Sequence, residues 1–391
     1  MNKEIKQGYK QTKVGIIPED WEVVKLNEKS SIQRGRFSPR PRNDPQFYNG
    51  DYPFVQTNDV VNSKGKITTY SQTLNEKGLK VSKLFSQGTI LMTIAANIGF
   101  TGILTRDMTC PDSLVGIQCK KGLFNEFLNF YFIFNQKRID YLAEEATQKN
   151  INLSTLNSFH IPLPSLKEQE KIAEILTIWD EAITKQEELL RAKELQKKGL
   201  MQKLLSGEVR FSGFSDKWKE VRLGEICKIT TGSSNREDSS ESKGEYTFFD
   251  RSQDIRTSDI YLFDGEAIIV AGEGQEFIPK YFVGKFDLHQ RTYAIMEFKL
   301  NCGKFLFYYL YQNRDYFYSQ AVGSTVKSLR LPMFQKMKLK LPSLPEQQKI
   351  AKVLSLADDE INLLKNELEE LKQQKKALMQ KLLTGEVRVK V

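Results

Sequence analysis

The chain has 391 residues, more than a single hydrophobic core usually supports, so two domains are expected. A content of 40% hydrophobic and 11% aromatic residues excludes a disordered chain, and the longest apolar run, residues 88–104, is interrupted by Thr and Asn, which argues against a membrane span. The formal net charge of +9 favours a polyanionic partner without requiring one.

Residues 1–162 predict a mixed α/β domain. Residues 52–57 (YPFVQT) and 88–94 (GTILMTI) have the composition of strands, and residues 125–136 (NEFLNFYFIFNQ) form an aromatic helical pattern. We interpret these aromatic side chains as core rather than as a surface on which bases stack. The segment holds 21 basic and 15 acidic residues, so part of the excess positive charge belongs to it.

Two loops of this domain carry candidate DNA contacts. Residues 34–42 (RGRFSPRPR) contain no acidic residue and four arginines: Arg34, Arg36, Arg40 and Arg42. Guanidinium forks suit phosphates and guanine edges, although a solvated basic loop is the alternative. Gln56 and Asn58, in QTND (56–59), follow a predicted strand and are candidate base readers, while such loops are equally ordinary turns.

Residues 163–210 predict one long helix. Ser165 and Glu168 have the spacing of a capping box, and Gly207 follows the last apolar residue as a C-terminal glycine does. About 40 helical residues correspond to a rod of roughly 60 Å.

Residues 211–340 again predict a mixed α/β domain, with strands at 246–250 (YTFFD) and 266–272 (EAIIVAG) and an aromatic helix at 303–314. Its candidate base readers lie in two polar loops. The first, DRSQD (250–254), occupies a place similar to QTND, and the second, HQRT (289–292), stands where the first domain has CPDS (110–113). The four candidates are Arg251, Ser252, Gln290 and Arg291.

Residues 341–391 repeat the helical region. Residues 163–210 align without gaps on 341–388, and 26 of these 48 positions are identical. Ser343 and Glu346 repeat the capping-box spacing, Pro345 falls in the first turn, and Gly385 repeats the terminal glycine. Weaker similarity relates WEVVKL (21–26) to WKEVRL (218–223) and ATQKNINL (146–153) to STVKSLRL (324–331), so the whole chain is one unit used twice.

Each helical copy carries an apolar seam. Alternate steps of four and three from Ile172 and from Ile350 meet apolar residues at seven and nine of ten positions, which is the pattern of a coiled coil. We expect the two copies to pair antiparallel about a pseudo-twofold axis, the alternative being that each helix docks on its own domain. The expected interface residues are Ile172, Leu176, Trp179, Ile183, Leu190, Ile350, Leu354, Ile361, Leu364, Leu368 and Leu371.

The helical copies are electrically neutral. Residues 163–210 hold nine basic and nine acidic side chains, and residues 341–388 hold eight of each. The excess positive charge therefore lies outside them, mainly in the variable domains.

No catalytic or metal-binding pattern is recognisable. GSTVKS (323–328) lacks the second glycine of a phosphate-binding loop, so no NTPase is implied. Two histidines, His160 and His289, are too few for a histidine metal site or an obvious triad. The four cysteines have neither zinc nor disulfide spacing, which fits a reducing cytosol, and the N-terminal segment lacks the apolar core of a signal peptide. We therefore expect a protein that binds rather than catalyses.

The doubled order of segments resembles a known family. One unit consists of GIIPEDWEVVKL (15–26), a variable stretch, and a helical region that runs from PLPSLKEQEKIAEIL (162–176) to LMQKLLSGEVRF (200–211). This unit, followed by a second such unit, is similar to the specificity subunit of a Type I restriction-modification system. The resemblance implies an α+β fold with two mixed α/β target recognition domains, residues 1–162 and 211–340. It also implies two long helical regions, residues 163–210 and 341–391, that form an antiparallel coiled coil.

The resemblance also implies a function. Each recognition domain would read one half of a bipartite DNA site, and the helices would set the spacing and dock two modification subunits. Those subunits would bind S-adenosylmethionine and methylate adenine, while a restriction subunit using ATP and Mg would be an optional further partner. The chain itself would be non-catalytic, would bind no cofactor or metal, would have no membrane partner and would act in the cytoplasm. No base-contacting residue can be transferred by motif, because the recognition domains vary within the family.

Two alternatives stay open from the residues alone. One is a non-enzymatic basic coiled-coil scaffold that binds protein or RNA, and the other is a stand-alone methyltransferase or nuclease. Sequence-specific binding to duplex DNA would separate the first from the proposed reader, and S-adenosylmethionine binding would separate the second.

Overall fold

The structure, a computed structural model, describes residues 5–143, 150–235, 244–252 and 254–391. Four residues of the predicted repeat segment ATQKNINL, at 146–149, and Gln253 of DRSQD lie outside the described residues. The chain forms two compact units. The first unit comprises Met1–Gln186 and Glu367–Val391, and the second unit comprises Glu187–Asn366.

The first unit contains thirteen short strands, six short α-helices and one 3₁₀ helix among its described residues, followed by the start of a long helix, α7 (Leu166–Ser206). In chain order they are β1 (Tyr9–Thr12), β2 (Gly15–Pro18), β3 (Glu22–Lys25), α1 (Leu26–Lys29), β4 (Ser30–Arg34), a 3₁₀ helix (Pro45–Phe47), β5 (Tyr48–Phe54), α2 (Thr57–Val61), β6 (Lys66–Ile67), β7 (Gln72–Leu74), α3 (Glu76–Val81), β8 (Leu84–Phe85), β9 (Ile90–Thr93), β10 (Thr101–Leu104), β11 (Met108–Thr109), β12 (Leu114–Cys119), α4 (Asn125–Phe134), α5 (Gln136–Tyr141), α6 (Leu153–Asn157) and β13 (His160–Leu163).

Two sheets form the centre of the first unit. One has the order β4-β12-β9-β10-β6 and the other the order β7-β5-β11-β8, and each is antiparallel apart from one parallel pair. In β9, Ile90 and Met92 face the core shared with α4 and α7, whereas Leu91 faces a second core with Phe85 and Met108. A strand covered on both faces needs apolar residues at every position, which explains the run GTILMTI.

The second unit is built around one main sheet. Its elements are β14 (Lys219–Arg222), α8 (Leu223–Ile226), β15 (Lys228–Thr231), β16 (Tyr246–Phe249), β17 (Arg256–Ser258), β18 (Phe263–Ala271), β19 (Glu273–Gly274), β20 (Lys280–Leu288), β21 (Thr292–Met296), α9 (Gly303–Gln312), α10 (Asp315–Gln320), β22 (Lys327–Ser328), α11 (Leu331–Gln335), β23 (Lys338–Leu341) and the long helix α12 (Leu344–Leu383). The main sheet has the order β15-β21-β18-β20-β16-β17, with β16 and β20 parallel. Ile268 and Val270 of β18 face one core and Ile269 faces another, as in β9.

A small framework is common to both units. The strand after Trp21, β3, pairs with β13, the strand that leads into α7. In the same way the strand after Trp218, β14, pairs with β23, which leads into α12. The weak similarity between residues 21–26 and 218–223 therefore marks equivalent structural positions.

The predicted local elements are mostly confirmed, with one strand misplaced. The aromatic helices are present as α4 and α9, and Phe127, Phe132 and Phe305 are fully buried, which supports their interpretation as core. The predicted strand at 52–57 is wrong at its end, because β5 stops at Phe54 and α2 begins at Thr57. There the Gln56 amide donates to the Asp59 carboxylate at 2.7 Å, an N-terminal cap that turns the chain into the helix.

The long helices begin and end where their signals predict. The Glu168 amide donates to Ser165 Oγ at 3.3 Å at the start of α7. Gly207 and Gly385 follow the two helices with φ of 75° and 72°, a left-handed conformation that glycine adopts without strain. With 41 and 40 residues, each helix is about 60 Å long.

Within the first unit, α7 and α12 lie side by side in opposite directions. Lys375 pairs with Asp180, and Gln186 donates to Glu367 at 3.0 Å, so residue numbers fall on one helix as they rise on the other. The end of α12 also packs into the core that holds the start of α7. The second unit shows the same relationship. Lys197 pairs with Asp358, and Lys193 with Glu360 at 2.6 Å.

The predicted interface residues lie on the inner side of these helices. Seven are buried, namely Ile172, Leu176, Ile350, Leu354, Ile361, Leu364 and Leu368, and four are partly buried, namely Trp179, Ile183, Leu190 and Leu371. Both alternatives of the sequence analysis contribute, because Ile172 and Leu176 also belong to the core of the first unit. Coiled-coil packing along the full seam stays a prediction.

Candidate nucleic-acid interface

The arginine loop of the first unit lies against the turn that precedes β12. The Gly35 amide donates to the Leu114 carbonyl at 2.9 Å, and the Arg36 amide donates to the Cys110 carbonyl at 3.0 Å. A Cβ atom on Gly35 would lie 2.2 Å from the Pro111 carbonyl oxygen, so this close approach requires glycine. The structure thus brings residues 34–42 and CPDS together.

One acidic residue of that turn holds two of the four arginines. Arg42 Nη2 donates to both oxygens of the Asp112 carboxylate, at 2.8 and 3.0 Å, and Arg34 Nε donates to the Asp112 carbonyl at 2.6 Å. Arg36 and Arg40 instead donate to main-chain carbonyls, including Ser82 O at 2.9 Å and Pro39 O at 2.8 Å, respectively. All four arginines are exposed, so their remaining donors are accessible to a ligand.

The predicted reader Gln56 belongs to the same polar surface. Thr57 Oγ1 lies 3.3 Å from Ser113 Oγ, which links the start of α2 to the CPDS turn. Gln56 Nε2 donates to Gln72 Oε1 at 3.0 Å, and Asn58 is exposed in the first turn of α2. Gln72 also lines an open cleft of about 400 Å³ with Tyr48 and Tyr70.

The structure also brings the two predicted loops of the second unit together. The His289 amide donates to the Phe249 carbonyl at 2.9 Å, which joins HQRT to the end of β16, where DRSQD begins. Gln290 Nε2 donates to Asn235 Oδ1 at 2.6 Å. Ser252 Oγ donates to Asp250 Oδ1 at 2.5 Å, and Lys280 Nζ donates to the Ser252 carbonyl at 2.7 Å.

Glu273 links the two predicted arginines of this unit. Its carboxylate accepts from Arg251 Nη1 at 2.6 Å and from Arg291 Nη1 at 3.0 and 3.1 Å. Burial raises the pKa of Glu273, but the hydrogen bonds and charges of Arg251 and Arg291 together outweigh it, so the pKa lies below its ordinary value. The carboxylate is therefore ionised at neutral pH.

The neighbouring titratable groups are also perturbed. Burial lowers the pKa of His289, and the nearby Arg251 charge lowers it further, so the imidazole is neutral at pH 7. Burial likewise lowers the pKa of Lys280, against the raising effect of Asp250 and Asp254. These groups can bind a ligand through hydrogen bonds and charge.

Sequence reasoning missed the acidic partners. The sequence places Asp112 only as one residue of the loop CPDS, and no pattern singles out Glu273. A carboxylate that pairs with an arginine from another strand leaves no local spacing pattern, so nothing in the sequence marked them. The ten predicted contact residues themselves stay predictions.

The described residues contain no group of three or more His, Cys, Asp or Glu side chains placed to hold a metal ion. No helix in the described ranges is both long and apolar enough to cross a membrane.

Comparison with known proteins decides the family. Residues 18–192 and 215–373 each match the family described as Type I restriction modification DNA specificity domain. The chain belongs to this family. It is thus a type I specificity subunit, a DNA-binding recognition component that is not itself catalytic, and the scaffold alternative is not favoured.

Individual relatives agree with this assignment over almost the full length. The present chain is 28% identical to the type I restriction enzyme MjaIX specificity subunit of Methanocaldococcus jannaschii, over 97% of this chain and 96% of the relative. The S subunit of a type I restriction-modification system from M. genitalium has the same fold, with a TM-score of 0.62 at 19% identity over 93% of this chain and 96% of that one. A chain solved in work on assembly of the type I R-M system superposes with a TM-score of 0.58 at 17% identity, over 95% of this chain and 99% of that one.

Proposed function

We propose that each unit of this specificity subunit reads one half of a bipartite DNA site. The observation that carries this is the repeated framework of β3 with β13 and of β14 with β23, each supporting a different set of polar loops. Equivalent frameworks present the loops in equivalent ways, while different side chains select different bases. The first unit would use the surface around Arg34 and Gln56, and the second the surface around Arg251 and Gln290.

Methylation-site mapping of cells that carry this chain with its modification partner tests whether each unit reads its own half-site. The wild type should methylate a bipartite motif that consists of two short base sequences, one per half-site, which we call its two words. Gln56→Ala should alter one word, and Gln290→Ala should alter the other, because each surface meets one half-site. If either variant changed both words, the two units would not read separately.

The paired helices are proposed to set the spacing and to dock two modification subunits, the proteins that would bind S-adenosylmethionine and methylate adenine. Ile178 and Leu356 are equivalent residues of the repeat and are 56% and 58% exposed. Aliphatic side chains exposed at the same place in both copies suit two identical partners. A restriction subunit with ATP and Mg would join such an assembly, and the cytoplasm is its proposed location.

The mass of the purified complex tests docking. Ile178→Asp and Leu356→Asp should each remove one modification subunit of two, and the double variant should remove both. Leu195→Asp is a matched control, because Leu195 is exposed on the same helix but its counterpart in the repeat is Gln373. Two bound subunits in the double variant would place docking elsewhere.

A further inference from the structure

Glu273 is placed to orient two guanidinium groups at once. Its side chain is largely buried, whereas those of Arg251 and Arg291 are about half exposed. The three residues come from separate parts of the second unit: Arg251 follows β16, Glu273 begins β19, and Arg291 precedes β21. A buried acid that holds two exposed cations fixes their direction, because each guanidinium plane must point one edge at the carboxylate.

The hydrogen bonds leave a specific part of each arginine available. Arg251 and Arg291 both donate to Glu273 through Nη1. Among the residues that the structure describes, no acceptor engages Nη2 or Nε of either side chain. The Nε–Nη2 edge is a planar fork of two donors, the group that matches the adjacent O6 and N7 acceptors of guanine in the major groove.

The charges of the cluster favour a base over a phosphate. One ionised carboxylate between two guanidinium groups leaves a net charge of +1, and the carboxylate repels a phosphate that approaches both arginines. A G·C pair offers the guanine acceptors and, beside them, the N4 amino donor of cytosine, to which a carboxylate can accept. Arg251 and Glu273 also line a cleft of about 260 Å³, so the cluster borders a concave surface.

We propose that Arg251, Glu273 and Arg291 form a base-reading site for one G·C pair in the half-site of the second unit. In this site the arginines contact guanine, and Glu273 is the residue that positions them. The proposal rests on the DNA-reading function proposed above and adds the base pair that one site selects.

The test uses the full-length chain assembled with its modification subunits and a pool of duplexes with randomised half-sites. Glu273→Gln keeps the shape and removes the charge that orients the arginines. It should lower the preference for G at one position of one word by about 10-fold and leave the other word unchanged. Glu297→Gln is the control, since Glu297 forms an exposed pair with Lys228 in the same unit and should alter neither word.

Two further variants keep the test decisive if Glu273→Gln fails to fold. Arg251→Lys and Arg291→Lys keep the positive charge but lose the fork, so they should relax the same position while the salt dependence of binding stays unchanged. Selection of the wild-type words by all three variants would overturn the proposal. So would a uniform loss of affinity without a change of word, which would mean phosphate contacts. A wild-type complex that selects no word at all would remove the proposed function itself.

Discussion

Arg388 donates to the Glu168 carboxylate at 2.7 and 3.1 Å, although 220 residues separate the two in the chain. The same carboxylate accepts from Trp21 Nε1 at 3.1 Å. The second unit contains the equivalent pair, in which Arg210 donates to Glu346 at 2.9 and 2.7 Å. In each unit, therefore, the arginine after one long helix binds the acid in the first turn of the other, and segments distant in sequence close one unit.

Arg388→Ala should lower the free energy of unfolding of the first unit by about 2–3 kcal/mol. Glu168 is 3% exposed, so the substitution leaves a buried carboxylate with Trp21 as its remaining donor. Urea denaturation measures the loss. Lys228→Ala is the control, because its exposed pair with Glu297 should contribute less than about 1 kcal/mol. An equal effect of the two substitutions would contradict a structural role for Arg388.

The stability of the first unit should also depend on the ionisation of Asp20. The hydrogen bond and charge of Arg388 lower the pKa of this carboxyl below its ordinary 3.8, outweighing its partial burial. A depressed folded-state pKa stabilises the protein above the ordinary value, and this stabilisation is lost as the pH falls through the folded-state pKa. Asp20→Asn should therefore be less stable than the wild type at pH 6, and the difference should shrink below about pH 4. Urea titrations at several pH values measure it, and a difference independent of pH would rule out this ion pair as the cause.

How much the sequence predicts depends on whether a feature repeats. The long helices, their ends and their antiparallel pairing follow from a repeat whose two copies keep Asp180 and Asp358, and Lys197 and Lys375, at equivalent positions. A lysine in an apolar seam costs stability unless it is paired, so it fixes the register of the helices. The recognition surfaces do not repeat. Their acids, such as Glu273, find arginine partners through sheet topology, which local patterns do not encode.

The buried seam should be sensitive to truncation. Ile361→Ala and Leu368→Ala should each lower the free energy of unfolding by about 2–5 kcal/mol, because both side chains are buried although they lie outside the large cores. Leu363→Ala on the same helix is the matched control, since Leu363 is 63% exposed and should lose little. Thermal and urea denaturation report the differences. Unchanged stability in both seam variants would show that the helices do not pack there.

Substitutions that remove positive charge from the arginine loop should weaken the salt dependence of DNA binding. If the loop meets phosphates, replacing Arg34, Arg36, Arg40 and Arg42 by Ala lowers the slope of log affinity against log salt by up to about 0.9 per lost contact.

Asp112→Asn tests the same surface in the opposite sense. It removes the carboxylate that pairs with Arg42 and should raise affinity at low salt. Duplex binding measured across a salt series covers both variants. A slope that neither substitution changes would remove this loop from the DNA surface.

We predict that the length of the paired helices sets the distance between the two half-sites. Seven residues inserted after Gln186 keep the heptad phase and lengthen α7 by roughly 10 Å. The hydrogen bond between Gln186 and Glu367 shows that α12 needs seven residues at the matching place, before Glu367. Otherwise the pair between Asp180 and Lys375 would lose its register.

The matched double insertion should shift the site rather than simply abolish it. Roughly 10 Å corresponds to about three base pairs, at about 3.4 Å each, and three base pairs rotate the duplex by about 100°. Activity on the original spacing should be lost, because one unit would no longer face the groove of its half-site.

A four-residue insertion in both helices adds only about 6 Å, close to two base pairs, and breaks the heptad phase locally, so weaker binding to a longer spacer is expected. Insertion into α7 alone is the control, since it disrupts the helix pair without lengthening it. Methylation-site mapping reads both the spacer and the two words. If the complex with the matched insertion still methylated at the original spacing with undiminished activity, the helix length would not set the distance between the half-sites.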